Sequence, residues 1–293
     1  MNEMPTLRTA LLDLLYELRD TDIKLIIGGG FGIHLRTQHV LENRPRTLLN
    51  VWPEARSTND LDLFLRPELL IHSAKLKPLA EAISRLKYEV VEGAEKYQFV
   101  KPGPGGSEAG SLKIDLLTAP QTAFAGTGLK VDKRRVRPSP SVGIHAHPCD
   151  QVVTLQEKLL RVPFSDTRSS GEPWQTELFL PHPYTFLLMK LFAFRDRVDD
   201  KAKELGRHHA LDLYSVIALT NEVEWQECLA FNHRLQADPI NIEAGKIVAK
   251  YFDGEQKLGI LRLREHAYFR PEFQVGEFMS ALMELFQAPH PTI

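Results

Sequence analysis

Cysteine is scarce. Cys149 and Cys228 are the only two in 293 residues, so no disulfide framework staples this chain, and the content suits a reducing compartment. Long apolar runs are missing as well. No stretch of about eighteen apolar residues suggests a membrane-spanning helix, and the N-terminus lacks a basic-then-apolar leader, so a cytoplasmic protein with no membrane partner is expected. Charge of one sign is not in excess: 36 Lys and Arg against 38 Asp and Glu leave −2. That excludes bulk attraction to nucleic acid, and any such contact must come from a local patch. Two familiar nucleotide-loop patterns are also absent. Gly28, Gly30 and Gly32 do not make G-x-G-x-x-G, because position 33 is Ile, and no Gly-Lys-Ser/Thr follows to make a phosphate loop of the Walker type. The region 38–55 does not read as the acid-tipped second strand that a Rossmann unit needs. With 43% hydrophobic and 25% charged residues, a sizeable core is available, in about two domains.

What is present concentrates between Ile26 and Leu65. An apolar Ile26-Ile27 runs into Gly28-Gly29-Gly30, and a helical pattern follows. Such a turn can aim backbone N–H groups and a helix N-terminus at phosphates. After the loop comes Arg56-Ser57-Thr58-Asn59, then Asp60-Leu61-Asp62-Leu63-Phe64-Leu65. Acid and leucine alternate with the period of a strand, so Asp60 and Asp62 share a face, roughly 6–7 Å apart at Cα. A third acid, Asp115, lies inside the apolar run Leu112-Lys113-Ile114-Asp115-Leu116-Leu117. Singly, each acid reads as a strand-edge Asp facing water. Together, in this order, the glycine turn and three carboxylates suit two-metal phosphoryl transfer, with Mg2+ or Mn2+ held by Asp60, Asp62 and Asp115.

The ordered set resembles the nucleotidyltransferase superfamily that includes DNA polymerase β. Within it, Gly28-Gly29-Gly30-Phe31-Gly32 followed by Arg56-Ser57-Thr58-x-Asp60-Leu61-Asp62-Leu63 is similar to the AbiEii/AbiGii-like nucleotidyltransferases, known as toxins of type IV toxin–antitoxin and phage-defence systems. Downstream, Leu187 to Arg197 and His208-His209-Ala210-Leu211-Asp212-Leu213-Tyr214 match the family's lysine-bearing helix and the segment ending in Asp. The resemblance implies that Lys190 and Asp212 join Asp60, Asp62 and Asp115 as catalytic residues. It also implies an NTP substrate, an acceptor that is RNA, tRNA by preference, and a cognate antitoxin as partner. Gly28, Gly29, Gly30, Arg56, Ser57 and Lys190 would then bind the nucleotide. The chain departs from the family at His208-His209, where members often carry Lys-Asp, and in the length of the loop 38–55. Nucleotidylation of a protein or a small molecule, or a non-catalytic nucleotide-binding or interaction module, are the alternatives.

The fold expected is α+β: a mixed sheet with helices of nucleotidyltransferase type over 1–140, then a mainly helical domain over 141–293 that completes the cleft. The boundary is placed at the Pro- and Ser-rich 137–143. Leu7, Leu11, Leu14, Leu15 and Leu18 form the core stripe of a first helix. Lys190, in a strongly apolar helix, either snorkels to the surface or enters a site, and Asp212 either pairs with Lys190, Arg195 or Arg197 or acts directly. Lys130, Lys133, Arg134, Arg135 and Arg137 form a basic segment, which reads as a solvated connector or as a track for an RNA backbone. His145, His147 and Cys149 have metal-ligand types but no distant second half. His208 and His209 read as helix-surface residues or as an acid/base pair.

Overall fold

The computed structural model describes residues 7–54, 58, 60–94, 96–103 and 110–286. Arg56 and Ser57, expected at the nucleotide, lie outside the described residues. The chain divides into two compact units, one of Met1–Gly32 with Ser57–Pro181, the other of Ile33–Arg56 with His182–Ile293.

The first unit is built on a mixed sheet. In chain order it contains α1 (Leu7–Glu17), β1 (Ile26–Ile27), the start of α2 (Gly29–Asn43), β2 (Asp60–Leu65), α3 (Pro67–Ile71), α4 (Lys77–Arg85), β3 (Glu89–Val90), β4 (Gln98–Lys101), β5 (Leu112–Thr118), β6 (Lys130–Val131), β7 (Val136–Arg137), β8 (His147–Pro148), β9 (Leu160–Thr167) and β10 (Pro173–Leu180). The strand order is β3-β4-β5-β2-β1-β10-β9, with β8 alongside β5 and β6–β7 as a separate hairpin. Strands β2 and β5 are parallel, whereas β1 and β2, β4 and β5, and β9 and β10 pair antiparallel.

Alternation decides which face is which. On β5, Leu112, Ile114, Leu116 and Thr118 are buried while Lys113, Asp115 and Leu117 point to the other side. On β2, Leu61, Leu63 and Leu65 are buried on that same leucine face, and Asp60 and Asp62 are only half-buried on the opposite one. Helix α1 packs on β9, α4 and β2, and its Leu7, Leu11 and Leu14 are buried, as is Leu18 just past its end; Leu15 is only half-buried. The acids therefore stand on the face that the leucines leave behind.

The expected boundary near 140 falls inside this unit. The strands β9 and β10 follow it, and β10 joins β1 in parallel, so the sheet continues to Leu180. Pro163 in β9 is tolerated because β9 is the last strand in the order and one of its sides has no ladder to make.

The second unit is helical: the rest of α2, then α5 (Pro183–Arg197), α6 (Arg207–Ala218), α7 (Glu222–Arg234), α8 (Pro239–Tyr251), α9 (Leu258–Arg264) and α10 (Val275–Phe286). Helix α7 starts with a capping box between Asn221 and Glu224. The long loop is held by this unit: Thr47 bridges Asn221, the Leu48 amide donates to Thr220, and the Tyr214 hydroxyl donates to the Val51 carbonyl. Arg36, 1% exposed, anchors α2 through Glu224 at 2.6 Å and the Leu219 carbonyl at 3.1 Å. No helix among the described residues is long and apolar enough to cross a membrane.

Candidate active site: an acidic sheet face beside a glycine turn

Parallel pairing brings the third acid to the first two. Asp62 stands directly across from Asp115, and Asp60 across from Lys113. Gln98, on β4, is the partner of Asp115 on its other side and hydrogen-bonds its side chain. Asp115 is half-buried between these neighbours, and desolvation, then the charges of Asp62 and Asp60, push its carboxyl from 3.8 up to about 7. Gln98 and Lys113 pull it down and do not prevail. Like charges held this close have to share a proton or a cation.

The glycine turn is shaped by the same strand. The Gly28 amide donates to the Asp62 carbonyl at 2.8 Å, extending the β1–β2 ladder, so it is not available to a phosphate. A Cβ at Gly28 would strike the ring of Phe64. Gly29 opens α2 with φ +62, and a Cβ there would fall inside the Asp62 carboxylate. The backbone at 29 thus seats one of the acids. The amides of Gly29 and Gly30 belong to the first turn of α2, where backbone N–H groups have no intrahelical acceptor. Of the three glycines expected at the phosphates, these two retain donors suited to the task.

This arrangement makes Gly29→Ala informative. A left-handed residue with a Cβ costs about 1–2 kcal/mol, and here the Cβ also displaces Asp62. Gly93, with φ +76 and open space around it, meets only the backbone cost. Urea unfolding should show both Gly29→Ala and Gly93→Ala destabilised, Gly29→Ala more. Only Gly29→Ala should lose ligand-dependent function; equal behaviour of the two would show that Asp62 is not seated by the turn.

Cys149 was not expected at this place. Strand β8 runs beside β5, the Cys149 amide donates to Thr118, and burial followed by the charges of Asp62, Asp150 and Asp115 pushes its thiol up to about 12. It is an inert, protonated neighbour of the acids. His147 instead turns to the Arg134 carbonyl at 2.8 Å and lies against Tyr97. Position 149 is visible as special only through the β5–β8 pairing, which local sequence does not announce.

The carboxylates expected to form one metal cluster share a face. Among the described residues, however, no three His, Cys, Asp or Glu side chains converge as a ready-made metal cage. The donor set fits a hard cation that takes one or two carboxylates and completes its shell from ligand oxygens and water. Softer sites, rich in thiolate or imidazole, do not match it.

Lys190 and Asp212 come together within the helical unit. Lys190 Nζ on α5 meets Asp212 Oδ2 on α6 at 2.6 Å, with the side chains 6% and 3% exposed. Lys190 does not snorkel. His208 pairs with His266 at 2.9 Å and with Glu204 at 3.4 Å, and His209 meets Arg197 at 2.7 Å. The basic segment folds as the β6–β7 hairpin, in which Asp132 holds Arg137 and accepts from the amides of Arg134 and Arg135.

The raised Asp115 carboxyl has a measurable consequence. The folded protein keeps this proton between 3.8, where the unfolded chain loses it, and about 7. Bound protons in excess in the folded state mean that stability falls as pH rises through that window. His182, lowered to about 4 by burial, acts in the opposite sense below 6.5, but equally in wild type and variant. In metal-free buffer, wild type should lose about 3 kcal/mol relative to Asp115→Asn between pH 5 and pH 8 by urea unfolding. A constant difference would mean that Asp115 titrates as an ordinary carboxylate.

No family model and no curated protein matches the chain. Among solved structures it is similar to the antibiotic-resistance factor ANT(2'')-Ia, at 15% identity and a TM-score of 0.34, over 78% of this chain and 92% of that one. It is also similar to the STING-associated CdnE c-di-GMP synthase from Capnocytophaga granulosa, at 7% identity and a TM-score of 0.29, over 95% of this chain and 78% of that one.

Proposed function

We propose that this chain is a nucleotidyltransferase that moves a nucleoside monophosphate from an NTP to an acceptor hydroxyl, with RNA as the acceptor. The observation that carries this is the alignment of Asp62 with Asp115 across β2 and β5, with Asp62 seated on the glycine turn. Asp60 and Asp62 would hold Mg2+ or Mn2+, which supplies positive charge to the triphosphate. The Gly29 and Gly30 amides donate to phosphate oxygens, and the basic side chain of Arg56 and the hydroxyl of Ser57 serve the same group. The acceptor hydroxyl oxygen attacks the α-phosphorus, its proton passes to Asp115, and the bond to pyrophosphate breaks. Asp115 stands directly across from Asp62 and is the carboxylate left over from the cation, which leaves it to take that proton.

Lys190 and Asp212 enter as the resemblance carries them over; their buried pair makes each the positioning partner of the other. The exposed Lys130, Lys133 and Arg134 of the β6–β7 hairpin favour an anionic acceptor over an uncharged one. A toxin or phage-defence role, with a cognate antitoxin, belongs to the same resemblance. Incubation with each α-labelled NTP, Mg2+ and total RNA tests the acceptor. Label on RNA is expected; label on protein alone, or on a small hydroxylated compound alone, would overturn the RNA assignment.

A further inference from the structure

The sheet face that bears the acids continues past them. Asp62, Phe64 and Arg66 lie two apart, and Arg66 keeps extended backbone at ψ 142, so all three share a face. Phe64 is the partner of Ile26, Ile26 of Phe179 on β10, and Phe179 of Arg161 on β9. Lys24, two residues before Ile26, falls on the same side. Alternation alone thus gathers Lys24, Arg66 and Arg161 around Phe179. The side chains agree: Lys24 Nζ, Arg66 Cζ and Arg161 Cζ stand 5.8, 5.9 and 5.8 Å from the ring centroid.

The cations stand over the ring but well short of stacking contact. At Tyr16 in the same unit, Arg168 and Arg19 sit 3.3 and 4.0 Å from the centroid and cover the ring. At Phe179 each cation stays near the limit of cation–aromatic reach. A cavity of about 380 Å³ adjoins the ring, with Arg19, Lys24 and Arg161 on its wall and Glu177 as its acid. Glu177 meets Arg161 at 3.7 Å, but both are more than half exposed (57% and 63%), so this pair neutralises the cluster weakly. An aromatic ring with three cations held at this distance and a cavity beside it is the composition that binds a nucleobase by stacking and its phosphates by charge.

We propose that Phe179, with Lys24, Arg66 and Arg161, forms a nucleotide subsite on the acid face, taking one base and its adjoining phosphate. From strand spacings it lies roughly 12 Å from Asp62, two strands over and two residues along. What it serves, the acceptor strand or the NTP base, rests on the transfer reading above; that it binds a nucleotide does not. A flat heterocycle with a phosphate can come from either source.

Anisotropy of a fluorescein-labelled octauridylate and fluorescence of an N-methylanthraniloyl-ATP separate the two. Phe179→Ala, Phe179→Leu and the exposed pair Lys24→Gln/Arg161→Gln are compared with wild type, with thermal melts alongside. Removing one base stack should weaken the affected ligand about 5- to 140-fold. Phe179→Leu should do the same, because it keeps apolar bulk and loses the π-face. The charge pair should reduce the log–log salt slope for the oligonucleotide by about 1.4. Loss confined to the oligonucleotide assigns the subsite to the acceptor; loss confined to the ATP probe assigns it to the NTP base. Wild-type affinity for both in Phe179→Leu overturns the subsite, as does an unchanged salt slope with unchanged ATP binding in the charge pair. If Phe179→Ala fails to fold, these two variants still decide. Binding that depends on Phe179 in a protein that transfers no label would leave the subsite standing and remove the transfer reading.

Discussion

Asp62→Asn is expected to lower nucleotidyl transfer by two to three orders of magnitude or more while leaving the fold intact. The substitution is nearly isosteric, so the amide still fits against Gly29 and the β1–β2 ladder still closes on the Asp62 carbonyl. What is lost is the charge aimed at the cation and, with it, interaction energy of the kind that one preorganised group supplies in such sites, about 3–4 kcal/mol. The stability effect has the opposite sign. Asp62 is the largest charge raising Asp115, so removing it relieves repulsion and lets Asp115 fall toward the ordinary carboxylate range. Without divalent cation the thermal melt should equal or exceed that of wild type. A variant that transfers at the wild-type rate would remove Asp62 from the chemistry. One that unfolds would show it to be a structural acid.

Lys190→Ala is expected to act first on stability. The pair with Asp212 at 2.6 Å is almost fully buried, and removing Lys190 takes the cation away from a carboxylate in the interior. Such changes cost about 3–5 kcal/mol, on the order of 10 °C in a melt for a unit of this size. Replacing both partners, Lys190→Met with Asp212→Leu, should recover most of that loss, because two well-packed apolar side chains need no solvation. The double variant then separates roles that the single one confounds. If the pair serves the reaction, activity stays down at least about a hundredfold with stability restored. Recovery of both would make the pair structural. A single variant as stable as wild type would mean that the ion pair does not hold in solution.

Much of the acid face was legible because it depends on local alternation. Asp-Leu-Asp-Leu has one sensible reading as a strand, and the Asp115 run another. Their shared face followed once two strands were paired, although nothing local announces that the pairing is parallel and sets Asp62 opposite Asp115. The mainly helical character of 183–286 was legible from apolar periodicity; the short α9 was not, and caps such as Asn221 and the left-handed Gly206 set ends that periodicity leaves open. The β9–β10 hairpin was missed. Pro163 argues against a central strand, and both strands are half polar, yet Val162 and Phe164 against Leu178 and Leu180, around the turn at Gly171, carry a two-residue period that fits a hairpin. Missing it placed the boundary near 140 and hid Phe179. Lys190 in an apolar helix left snorkelling or a site open, with Asp212 as one candidate partner; the packing of α5 on α6 selects the buried pair, across 22 positions. Tertiary partners of buried charges are not a property of sequence spacing.

The central claim is that the acidic face performs nucleotidyl transfer. It is met most directly by incubating wild type and Asp62→Asn, side by side, with each of the four α-labelled NTPs, Mg2+ and total RNA, and by following incorporated label together with released pyrophosphate. The expected result is label on RNA and pyrophosphate in equal amount from wild type with at least one NTP, none without divalent cation, and none from Asp62→Asn. Absence of label on any acceptor with all four NTPs, or equal incorporation by both proteins, would contradict it.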